Sequence, residues 1–90
     1  MGYTWDDAKR RKTLEKRRLD FQDCEVVFAG PTLSFLDSRF DYGEERTVTI
    51  GFLNGRMVAV VHCDRDGETR IISMRKLNGR ERKKYEKALG

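Results

Sequence analysis

Two hydrophobic rhythms run along this chain. Phe21, Cys24, Val27 and Phe28 recur at helical spacing behind Asp20, a residue suited to cap a helix, and Gly30-Pro31 ends the run. After Pro31 the period changes to two. Leu33–Asp37, Arg46–Leu53, Arg56–Asp64 and Glu68–Arg75 each alternate in the manner of a strand, and a polar loop over Ser38–Glu44 separates the first two. Ahead of these elements, Asp6 or Asp7 can cap a first helix running from Ala8 to about Arg17. Its apolar stripe is poor, since Trp5, Ala8 and Leu14 do not share one face, so Trp5 is expected to anchor a surface helix. Asn78 can cap a closing helix over Gly79–Leu89, with Leu77, Glu81, Tyr85 and Ala88 inward. The pattern predicts an α+β fold: two N-terminal helices, a four-stranded antiparallel sheet and a C-terminal helix.

Turn chemistry sets the expected register. Asn54-Gly55 is a strong hairpin signal, and Asp66-Gly67 is its counterpart before the last strand. Two-residue turns at both places bring Phe52 opposite Met57, Ile50 opposite Ala59, Val48 opposite Val61, Val61 opposite Ile72 and Ala59 opposite Met74. One face then carries Val48, Ile50, Phe52, Met57, Ala59, Val61, Cys63, Ile72 and Met74, and the helices are expected to cover it. The other carries Thr47, Thr49, Gly51, Val58, Val60, His62, Ile71, Ser73 and Arg75. It is half polar, and is expected to be kept for a ligand or partner. A one-residue bulge at Arg65 would invert the assignment of Ser73 and Arg75.

Composition narrows the class. Ninety residues make one domain, and 38% charged residues require a densely ionic surface. The net charge is +4, but the distribution says more. Lys9, Arg10, Arg11, Lys12, Lys16, Arg17 and Arg18 form one basic block. Arg75, Lys76, Arg80, Arg82, Lys83, Lys84 and Lys87 form another. Asp37, Asp41, Glu44, Glu45, Asp64, Asp66 and Glu68 lie between them. Two basic ends favour a polyanion, or an acidic protein, over a neutral metabolite. No apolar run approaches the length of a membrane span and no signal peptide opens the chain, so a cytoplasmic protein with reduced thiols is expected.

Few side chains offer chemistry. His62 is the one group that titrates near neutrality by default, and its plainer role is a strand histidine satisfied by Thr47 or Thr49. Arg70, Ser73 and Arg75 can hold a phosphate and stabilise a pentavalent transition state, or the arginines can pair with Glu45 or Asp64. Lys9, Arg10, Lys16, Arg80 and Arg82 can meet a phosphate backbone, and Tyr85 can stack on a base or anchor the core. Glu44 or Glu45 can serve as a base, or pair with Arg46. Cys24 and Cys63 read as core residues. A metal-dependent nuclease would want clustered carboxylates, and these acids are scattered over turns.

In order and spacing these residues resemble the BrnT family of bacterial type II toxin–antitoxin toxins. The likeness runs through Trp5-Asp6 with Lys9, then Leu14 and Lys16 ahead of Leu19-Asp20-Phe21, then Gly43-Glu44-Glu45-Arg46 leading to Ile50-Gly51. It closes on Arg70-Ile71-Ile72-Ser73-Met74-Arg75, Glu81-Arg82 and Tyr85. The resemblance implies a RelE-like fold over residues 1–90 and a metal-independent ribonuclease, without cofactor, that inhibits translation. It implies as partners an RNA substrate and a BrnA-type ribbon-helix-helix antitoxin, through which alone operator DNA is met. The site group it implies is Lys9, Glu45, Arg46, Arg70, Ser73, Arg75 and Arg82, with Glu45 or His62 assisting proton transfer. A departure stands before the second helix. Relatives commonly read Lys-His-Gly where this chain has Lys16-Arg17-Arg18, which predicts a different turn there.

Overall fold

The computed structural model describes residues 2–38 and 43–89; Asp41 and its neighbours in the expected loop over Ser38–Glu44 lie outside the described residues. The elements are β1 (Tyr3–Thr4), α1 (Asp7–Arg17), a 3₁₀ turn (Phe21–Asp23), α2 (Cys24–Ala29), β2 (Leu33–Leu36), β3 (Thr47–Leu53), β4 (Arg56–Arg65), β5 (Glu68–Lys76) and α3 (Gly79–Leu89). The α+β class stands, with two differences from expectation. The sheet has five strands in the order β1-β5-β4-β3-β2, because Tyr3 and Thr4 pair in parallel with Thr69 and Arg70. The second helix is a 3₁₀ turn followed by only six α-helical residues.

Local chemistry explains the element ends. Asp6 accepts hydrogen bonds from the backbone of Ala8 (2.8 Å) and Lys9 (3.2 Å), satisfying donors that the first turn of α1 cannot. Arg18 ends α1 in the left-handed conformation at φ 59°, donating its N–H to the Leu14 carbonyl. Glycine takes that position at lower cost, so Arg18 holds a backbone conformation that its side chain disfavours. Asn78 and Glu81 form a reciprocal capping box at the start of α3, at 3.0 and 2.9 Å.

Both hairpins turn on two residues with positive φ, Asn54-Gly55 and Asp66-Gly67. The β3–β4 register is as expected: Phe52 opposite Met57, Ile50 opposite Ala59, Val48 opposite Val61. The β4–β5 register holds only from Arg65–Glu68 to His62–Ile71. There a bulge inserts Ile72, so that Val61 meets Ser73, Val60 meets Met74 and Ala59 meets Arg75. The shift falls in the middle of β5 and not at Arg65, and it turns over only the second half of the strand.

The sheet is consequently covered on both faces. Leu19, Phe21, Cys24 and Val27 close over Val58, Val60, Ile71 and Met74 on one side, with Tyr3, Trp5 and Phe28 packed at the margin. This overturns the expectation that the face bearing Val58 and Val60 is kept for a ligand: both valines are fully buried beneath α2. Gly51 permits that closure, since a Cβ there would stand 2.8 Å from a Val27 methyl. On the other face Val48, Ile50, Met57, Ala59 and Leu77 form a second core, against which Tyr85 and Leu89 pack. Leu89 takes the inward position expected of Ala88, which is exposed. Tyr85 stacks on Phe35 of β2 with ring centroids 6.0 Å apart, while Glu81 grips Arg75 of β5. Helix α3 therefore crosses this face from β5 to β2, and leaves a concavity on either side.

Candidate functional site

The bulge is what assembles the first concavity. By shifting β5 one residue, it brings Ser73 beside Val61 on the face that α3 only partly covers. Helix α1 runs along β5 where β1 no longer pairs with it, and Arg17 fixes its last turn by donating to the Met74 carbonyl at 2.9 Å. The opposite wall comes from the ends of β2 and β3. There the Asp37 N–H donates to the Arg46 carbonyl at 2.8 Å, one step beyond the strands. Between these walls lies a groove of about 440 Å³ lined by Lys9, Lys12, Thr13, Lys16, Arg17, Asp37, Arg46, Val61, Ile72 and Ser73.

The lining is cationic by construction. Lys9, Lys12, Thr13 and Lys16 are spaced i, i+3, i+4, i+7, the spacing that places residues on one face of a helix. Together with Arg17 and Arg46 the lysines raise the local potential, and among the described lining residues Asp37, which is buried, is the one carboxylate opposing them. Arg46 is held within 3.7 Å of the Glu44 carboxylate. Glu44 itself belongs mainly to Arg65, whose hydrogen bonds at 3.0 to 3.4 Å draw its carboxyl below the usual range. A groove of this kind, with a serine hydroxyl on its floor and ammonium groups on one wall, suits a phosphodiester backbone.

Four expected site residues thus meet here: Lys9, Lys16, Arg46 and Ser73. The others are distributed elsewhere. His62 lies on the opposite face of the sheet. Its Nε2 is 2.7 Å from Thr49 Oγ1, its ring meets Phe28 edge-on at 5.1 Å, and burial lowers its pKa. Thr49 is in turn 2.7 Å from Ser34 Oγ. The sequence placed His62 with Ser73 and Arg75 on one face; the bulge separates them.

Arg75 shares the face of Ser73, but its guanidinium is bound bidentately by Glu81 at 2.8 and 2.6 Å, instead of by Glu45 or Asp64. That contact, with help from the Asn78 N–H, lowers the Glu81 pKa to about 2. Arg70 sits opposite Cys63 and beside Thr4 in the ladder, and does not line the groove. Glu45 is exposed and also outside the lining. Arg10 is taken up by Asp20, at 2.7 and 3.0 Å, and by Gln22, a contact that ties α1 to the 3₁₀ turn. Tyr85 is engaged by Phe35, with the Lys84 ammonium 5.3 Å above its ring.

Arg80 and Arg82 line a second concavity, of about 1120 Å³, between α3 and the Asn54-Gly55 turn. Arg56, Lys76 and Lys83 share its rim, and Phe52, Met57 and Leu77 its floor.

Sequence reasoning missed Lys12, Thr13, Arg17 and Asp37. For the first two the signal was present in the polar stripe of α1, once that helix is read by its charged side and not its apolar one. Asp37 was read as the end of a strand and one of the acids between the basic blocks, not as a site residue.

Two comparisons bear on what this groove serves. No curated protein matches the chain. Residues 5–81 match the family described as ribonuclease toxin, BrnT, of type II toxin–antitoxin system. That span begins at Trp5, takes in every wall of the groove and ends at Glu81, the partner of Arg75. The description brings with it an RNA target and an antitoxin partner. No helix of the described residues is long and apolar enough to cross a membrane. This chain belongs to the BrnT family of ribonuclease toxins of type II toxin–antitoxin systems.

Proposed function

We propose that residues 1–90 form one toxin domain, a metal-independent endoribonuclease that inhibits translation in the cytoplasm and binds its RNA in the groove between α1 and the sheet. The observation that carries this is the gathering of Lys9, Lys12, Lys16, Arg17 and Arg46 around Ser73. The RNA 2′-hydroxyl attacks the adjacent phosphorus, the P–O5′ bond breaks, and a 2′,3′-cyclic phosphate and a 5′-hydroxyl result. The lysines of α1 and Arg46 hold the phosphate and offset its growing negative charge, each such donor accounting for roughly 10²–10³ in rate. The proton of the 2′-hydroxyl needs an acceptor, and the departing O5′ needs a proton. Among the described groove residues Asp37 is the carboxylate we assign to the first step, and a lysine ammonium serves the second. His62 is on the far face of the sheet, and Glu45, exposed beside Arg46, is not part of the groove lining. Arg75 contributes to the clamp only by exchanging Glu81 for phosphate, and Arg70 remains a neighbour beyond the groove.

The neutralising partner is a ribbon-helix-helix antitoxin of the BrnA type, and operator DNA is bound through it. Cleavage of RNA by the purified toxin in EDTA, with and without its antitoxin, tests the reading. A cyclic-phosphate product in EDTA, suppressed by antitoxin, supports it, and a requirement for added metal ends the metal-independent mechanism.

A second reading is favoured by the removal of His62 to the far face and the capture of Arg75 by Glu81. It is a basic module that holds RNA or a protein without cutting. Binding without cleavage in the same assay would establish it.

A further inference from the structure

We infer that the concavity between α3 and the Asn54-Gly55 turn is the docking groove for an acidic, amphipathic segment of the antitoxin. The inference rests on the reading of this chain as one half of a toxin–antitoxin pair.

The two concavities differ in chemistry. The groove beside α1 joins four basic residues of one helix and Arg46 to the Thr13 and Ser73 hydroxyls and the Asp37 carboxylate, with Val61 and Ile72 as its apolar part. Among the described residues, the groove beside α3 sets five basic residues against one lining acid, Glu86, over an apolar floor. The phosphates and riboses of RNA gain little from the aliphatic carbon of Met57 and Leu77, and only a base on Phe52 would profit, whereas a helix or strand with apolar residues on one side and carboxylates on the other satisfies floor and rim together. Phe52 is the half-exposed part of that floor; Met57 and Leu77 lie beneath it.

Position supports the division. Met57 borders one groove and Val61 the other, four residues apart on β4, or roughly 13 Å. Helix α3 lies between them. The two basic ends of the sequence thus contribute to two surfaces: Lys9, Lys12, Lys16 and Arg17 line the RNA groove, and Lys76, Arg80, Arg82 and Lys83 line the partner groove. Neither share is visible in net charge.

The test uses Arg56→Glu, Lys76→Glu and Lys83→Glu combined, because all three side chains are exposed and none lines the RNA groove. The probes are the cognate antitoxin, co-expressed with the toxin and then separated from it, and a 2′-O-methyl RNA oligonucleotide that cannot be cleaved. The expected result is antitoxin affinity at least tenfold weaker, with RNA affinity within about twofold of the parent protein. The glutamine versions of the same three changes give an intermediate loss, and an unchanged unfolding midpoint shows that folding is intact. Unchanged antitoxin affinity overturns the inference. A fall in RNA affinity with antitoxin binding retained overturns it too, and assigns the groove to RNA. Both arms read binding, so they stand apart from the cleavage assay, and a toxin that cuts nothing still reports on this groove.

Discussion

Arg75 and Glu81 face each other across the junction of β5 and α3, joined by two hydrogen bonds of 2.8 and 2.6 Å. The same carboxylate accepts from the Asn78 N–H, so the residue that closes the capping box of α3 also holds an arginine that the family resemblance assigns to catalysis. If Arg75 joins the clamp, then Arg75→Ala lowers cleavage about a hundredfold, whereas Glu81→Gln, which weakens the hold without removing the guanidinium, stays within about threefold. Equal losses in both variants would make the pair structural only. Each change is expected to cost about 1 kcal/mol of stability, from the lost cap and a partly exposed ion pair.

The pair also predicts acid behaviour. Folding lowers the Glu81 pKa to about 2, so its contribution is complete above the ordinary glutamate range and is lost as the pH falls toward 2. Unfolding midpoints measured downward from pH 5 fall less steeply in Glu81→Gln than in the parent protein.

His62 has the opposite relation to pH from a histidine that gains an acidic partner. Burial lowers its pKa below the ordinary value, so its contribution to stability is present above pH 6.5 and declines as the pH drops below it. Denaturation midpoints compared at pH 7.5 and 5.5 should separate, and in His62→Gln they should separate less. Because His62 lies on the face away from Ser73, the same substitution should leave cleavage within about threefold; a hundredfold loss would return it to the chemistry.

In the groove, Lys12→Ala and Lys16→Ala are each expected to reduce cleavage about tenfold, and Arg46→Ala about a hundredfold or more. Asp37→Asn is expected to reduce the single-turnover rate while RNA affinity stays level or rises, since a negative charge leaves a cationic groove. Growth arrest on induction gives a parallel readout. A fully toxic Lys12→Ala/Lys16→Ala protein would remove α1 from the RNA site.

Two glycine exchanges test the frame. Gly51→Ala places a methyl 2.8 Å from Val27 Cγ1 and 3.4 Å from the Val27 carbonyl oxygen, and is expected to cost about 1–3 kcal/mol in urea unfolding. Arg18→Gly relieves a left-handed residue at the end of α1 and is expected to add about 1 kcal/mol. Loss of stability in Arg18→Gly would show that the arginine makes a contact worth more than that strain.

What the sequence determined is local. The cap at Asp6, the cap at Asn78, the two positive-φ turns and the β3–β4 register all follow from interactions among residues close along the chain, and all are found; that Glu81 completes a box with Asn78 was added by the structure. Tertiary structure decided the rest. Whether β5 keeps its register past His62 depends on how Met74 and Ile71 pack beneath Phe21 and Val27, elements nearly fifty residues away, and the resulting bulge moved Ser73 and Arg75 to the other face. These two positions, whose alternation predicted a surface shared with His62, came to lie together on the side of the sheet away from it. The short strand at Tyr3–Thr4 exists only because β5 offers it an edge. The groove has the same origin: its lysines share a stripe legible in α1, but its far wall, Asp37 and Arg46, is brought to them by a fold that no local signal encodes.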